Sequence, residues 1–163
     1  MSSLVQSPPE FFGRTIFAED IRLERSGQFT IVGMFPGSVE VENLPAVLPR
    51  MAMLVEFQWR LGALKEKARL AAYMPGMPVE QPIWETTVLP PEPEPSALKK
   101  ITLAEQGGPF PGELVSRGTS IVNMANIQVA QSGMIQVRAF VADKVFAIGG
   151  LYLYVQDNDF SAN

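Results

Sequence analysis

The chain has 163 residues, 47% of them hydrophobic and 18% charged, with a net charge of −4 and neither cysteine nor histidine. That length and balance fit one domain with its own core. The missing residue types exclude a disulfide framework, thiolate or imidazole metal sites, a cysteine nucleophile and a Ser-His-Asp triad, while the acidic balance argues against nucleic acid or an anionic membrane surface as partner.

Residues 1–12 read as an N-terminal arm, rich in Ser and Pro, in which Leu4, Val5, Phe11 and Phe12 belong to no periodic segment. The opening stretch has neither the basic nor the apolar region of a secretory leader. No apolar run approaches the roughly 20 residues that span a bilayer, so the expected setting is the cytosol or an assembly formed there. A β-domain is expected over 13–157, with a polar tail at 158–163.

From Arg14 the pattern has period two. Ile21 and Leu23 alternate with Asp20, Arg22 and Glu24, Ser26-Gly27 turns the chain, and Phe29 and Ile31 alternate with Gln28 and Thr30, which predicts a hairpin. Pro36-Gly37 turns again ahead of Val39 and Val41. Met51, Met53, Val55, Phe57 and Trp59 then fall on one face of a long strand, opposite Ala52, Leu54, Glu56, Gln58 and Arg60, the pattern of a half-buried strand in an antiparallel sheet.

Residues 61–74 are contested. The run 63–72 is rich in helix formers, yet Ala68, Leu70, Ala72 and Met74 keep strand alternation. The β context on both sides favours a hairpin partner for the preceding strand. Trp84, Thr86 and Val88 predict another strand. Pro90-Pro91-Glu92-Pro93-Glu94-Pro95 is a stiff connector of polyproline type, read as a loop between strands in preference to a ligand for proline-binding modules. A short strand is expected at 98–104, and a long glycine-rich loop carrying Phe110 at 105–118. Strands at 121–130, 135–141 and 145–155 close the chain, and Gly149-Gly150 inside the last of them marks a bulge or a close backbone approach. About eight short strands without alternating helices predict an antiparallel β-sandwich.

The segments 16–24 and 27–35, and the closing 133–140 with Asp143-Lys144 and the last strand, resemble the opening and final hairpins of a family of uncharacterised bacterial and phage proteins. The resemblance implies a sandwich of immunoglobulin or C2 type over roughly 14–156, and implies no activity, cofactor or catalytic residue. The chain departs from the family pattern in its arm, its Pro-Glu connector and the 105–118 loop.

Carboxylates are the remaining chemistry. Glu40 and Glu42 share a strand face, but acids two apart on a strand ordinarily form a solvated face rather than a glycosidase pair. Asp157-Asn158-Asp159 resembles the start of a calcium loop, yet the chain has four Asp in all and calcium takes six to eight oxygens. No Walker loop or dinucleotide fingerprint is present. Neither a cofactor nor a metal is therefore expected. Tyr152 and Tyr154 share a face opposite Leu151, Leu153 and Val155, and either face could be the buried one.

The function expected is non-enzymatic: a structural or accessory subunit of a larger assembly, set by the resemblance in a phage virion as a capsid decoration or tail component. Other protein subunits are its expected partners, a homo-oligomer among them, with contacts at Leu4, Val5, Phe11, Phe12, Phe110, Tyr152 and Tyr154. A module binding carbohydrate or calcium is the alternative.

Overall fold

Alternation as long as that of 51–59 and 135–155 requires sheets with one apolar face each. A computed structural model describes residues 11–60, 67–89 and 115–155, which contain nine strands and no helix. These are β1 (Phe11–Leu23), β2 (Phe29–Met34), β3 (Ser38–Val41), β4 (Ala46–Arg60), β5 (Ala68–Tyr73), β6 (Trp84–Val88), β7 (Val115–Val129), β8 (Gly133–Val141) and β9 (Lys144–Val155).

The fold is all-β and its strands form two sheets: a four-stranded one in the order β2-β1-β4-β7 and a five-stranded one in the order β3-β9-β8-β5-β6. Phe17, Met51, Met53, Val55 and Phe57 of the first share a core with Leu70, Ile135, Val137, Leu151 and Leu153 of the second, so the sheets face each other as in a sandwich. Burying one such aliphatic side chain contributes about 1.5–3 kcal/mol.

The β1–β2 hairpin forms where the alternation places it, with Leu23 opposite Phe29 and Ile21 opposite Ile31. Its loop is Arg25-Ser26-Gly27. The Gly27 N–H donates to the Glu24 carbonyl at 2.9 Å, and Gly27 takes a φ of 81°, the left-handed residue that closes a three-residue hairpin loop. Pairing of β1 with β4 is last seen at Ala18 opposite Ala52. Farther along the ribbon Ile21 joins Ala18, Ala52 and Leu54 in a second apolar cluster flanked by Ile16, Ile31 and Ile121, and the Asn123 side-chain amide donates to the Ile21 carbonyl at 3.4 Å.

That second cluster corrects the reading of β4 as half-buried. Met51 to Val55 are all buried, odd residues in the shared core and even ones on the opposite side of the sheet.

Several further expectations are corrected. Phe11 and Phe12 are not arm residues: they open β1, opposite Trp59 and Gln58, and Phe11 is 5% exposed with its ring 5.3 Å from that of Phe146. The purely antiparallel arrangement fails at β3, which runs parallel to β9, Glu40 beside Tyr154. The contested segment does yield a strand, but β5 pairs with β6 and β8 in the sheet opposite β4, so it is no hairpin partner of β4. The loop expected to reach 118 gives way to β7 at Val115, because 115–129 pairs along the whole of β4. Residues 1–10, the strand expected at 98–104 and the tail at 158–163 lie outside the described residues.

Gly149 confirms both readings made of it. The β8–β9 register shifts beside it, Val137 facing Gly149 but Arg138 facing Ala147, and a Cβ at 149 would overlap the Thr15 side chain.

Candidate functional site

Strand parity settles which way the tyrosines face. Leu151 and Leu153 are fully buried, so Tyr152 and Tyr154 stand on the outer surface of the five-stranded sheet, Tyr152 46% exposed. Their rings stack with centroids 6.3 Å apart and 18° between planes. Parallel pairing puts Glu40 beside Tyr154, whose hydroxyl donates to Glu40 Oε2 at 3.3 Å. On the other flank the exposed Met134 lies opposite Tyr152.

The same outer surface continues across β8, β5 and β6 as a row of arginines on aromatic rings. The Arg138 guanidinium sits 5.4 Å from the Tyr73 ring centroid and donates through Nε to Gln136 Oε1 at 3.0 Å. The Arg69 guanidinium lies 3.9 Å from the Phe140 centroid and bridges to Glu85 at 3.2 Å. Both arrangements follow from register, which places Gln136 opposite Tyr73 and Phe140 opposite Arg69. The face of a ring attracts the guanidinium above it and helps to hold it in place, with N–H donors left for a partner.

A small cavity of about 80 Å³ opens between Tyr73, Met77, Met134, Gln136 and Arg138. Tyr73 is 4% exposed, and its buried hydroxyl has no hydrogen-bond partner. On the outer face of the four-stranded sheet, Phe12, Arg14, Glu56, Gln58, Arg117 and Thr119 line an open groove of about 280 Å³, with Arg14 Nε 2.5 Å from Glu56 Oε2.

The residues singled out in the sequence do not converge on one place. Phe11 is in the core, Phe12 is exposed on the four-stranded sheet, and the tyrosines are on the outside of the five-stranded one. Leu4, Val5 and Phe110 lie outside the described residues, as do Asp157 to Asp159. Sequence reading missed Tyr73, Arg69, Arg138 and Phe140. The last two occupy the alternate positions opposite Val137 and Ala139, but their stacking depends on the pairing of β5 with β8, which no local pattern displays. Among the described residues no group of three or more acids is placed to hold a metal ion, and no helix is long and apolar enough to cross a membrane.

Comparison with known proteins finds no matching family model, no matching curated protein and no matching solved structure.

Proposed function

We propose that the protein is a non-enzymatic subunit of a protein assembly and that the outer face of the five-stranded sheet is its contact surface. The observation that carries this reading is the run of Tyr154, Tyr152, Met134, Arg138 over Tyr73, and Arg69 over Phe140 across one sheet. Tyr, Met and Arg are enriched where proteins meet, and Tyr and Arg supply much of the energy that holds such contacts. A solvated sheet face would more often carry Lys, Glu, Ser and Thr. The resemblance of 16–35 and 133–155 to bacterial and phage sandwich proteins points to a phage particle as the setting, and to an immunoglobulin- or C2-like kinship for the sandwich.

The test is a Tyr152→Ser/Tyr154→Ser variant expressed at native level in the cells that make the protein. It should fold with an unchanged circular dichroism spectrum, yet leave the high-mass fraction in which the wild type is found. A wild-type chain that fractionates alone, or a variant that stays in the high-mass fraction, contradicts the reading. One observation favours a second reading: stacked tyrosines beside the Glu40 carboxylate also suit a sugar ring. Quenching of tyrosine fluorescence by a soluble oligosaccharide, abolished in the same variant, would favour it.

A further inference from the structure

We infer that β2 pairs with β2 of a second copy of the chain, joining two four-stranded sheets into one of eight strands about a two-fold axis. This inference deepens the reading of the protein as an assembly subunit by naming a partner, but it stands on the opposite sheet from the tyrosine face. Either can fail without the other.

The first observation is the state of the edge. Among the described residues β2 is an outer strand of its sheet and pairs with β1 alone. In the hairpin the Glu24 N–H donates to the Gln28 carbonyl at 2.8 Å. Alternation of antiparallel hydrogen bonding then turns Thr30 and Val32 toward β1 and leaves the N–H and C=O groups of Phe29 and Ile31 directed away from it. An open row of donors and acceptors is a template for another strand.

The second observation is charge. Edge strands are normally protected by charged residues or proline. Of the four edge strands among the described residues, β3 carries Glu40, β6 carries Glu85 and β7 carries Arg117, whereas Phe29–Met34 carries no charge and no proline. A two-fold axis sets like residues near like residues, so a charged strand would repel its own copy and β2 does not.

The third observation is apolar exposure along this ribbon. Phe29 and Val32 are exposed, and Leu23 and Met34 are each 62% exposed. Among the described residues nothing covers them, and a neighbouring ribbon would. With the axis at Thr30, Phe29 of each chain lies opposite Ile31 of the other, and Thr30 faces Thr30 at a non-hydrogen-bonded position. There the Cα atoms of such a pair stand about 4.5 Å apart, within disulfide reach.

Because the chain has no cysteine, one introduced thiol reports on pairing between copies alone. Thr30→Cys should give a disulfide-linked dimer on mild oxidation, while Thr119→Cys, exposed on the edge strand β7, should stay monomeric under the same conditions. Thr30→Glu places a carboxylate beside Arg22 within the chain but opposite its own copy across the axis. It should weaken the dimer several-fold in sedimentation equilibrium and leave the melting temperature of the dilute monomer unchanged. A wild-type protein that is monomeric at every concentration, or equal cross-linking at 30 and 119, overturns the inference.

Discussion

Gly149 of β9 faces Thr15 of β1 across the core so closely that a Cβ at 149 would overlap the Thr15 side chain. The two sheets meet at this point with no slack. Gly149→Ala should therefore cost about 1–3 kcal/mol in urea unfolding, the usual penalty for overfilling a packed core. Thr15 Oγ1 is buried without a hydrogen-bond partner, so Thr15→Val should be neutral or stabilise by up to about 1 kcal/mol. A Thr15→Ala/Gly149→Ala double variant should lose less than the sum of its single changes, because shrinking residue 15 makes room for the new methyl group.

Phe11 tests where the arm ends. Its packing on Phe146 and its pairing with Trp59 make it a core residue, so Phe11→Ala should destabilise by about 3–5 kcal/mol. Deletion of residues 2–10, which spares β1, should cost far less than deletion of 2–12. Equal melting temperatures for the two truncations would return Phe11 to the arm.

The parity of β9 predicts a sharp contrast between neighbours. Leu151→Ala removes a fully buried side chain and should cost about 2–5 kcal/mol. Tyr152→Ala, one residue on, loses a stacked but exposed ring and should cost no more than about 1.5 kcal/mol. Denaturant midpoints of the two variants check this directly.

Legibility from sequence followed the range of the interactions. The β1–β2 hairpin was legible because Ser26-Gly27 and its flanking alternation are local, and the same holds for β8 and β9. Sheet membership was not: β5 has an alternating pattern that fits either sheet, and its place beside β8 rests on pairs such as Leu70 with Ala139, far apart in the chain. β3 was read as a strand but not as parallel to β9, since four residues carry no mark of direction. The second buried side of β4 was hidden because Ala52 and Leu54 alternate with larger residues and resemble a mixed outer face, and only the fold clusters Ile21 with them. Of the site, the tyrosine pair was legible as a pair, and its face was decided by the burial of Leu151 and Leu153.

The claim that the outer face of the five-stranded sheet is a contact surface is tested most directly by placing a photoreactive phenylalanine at position 152. Position 119, exposed on the outside of the other sheet, serves as the control, with irradiation in the cells that naturally make the protein. The account predicts a discrete heavier protein adduct from position 152 and none from position 119. No adduct from position 152, or the same adducts from both positions, would contradict it.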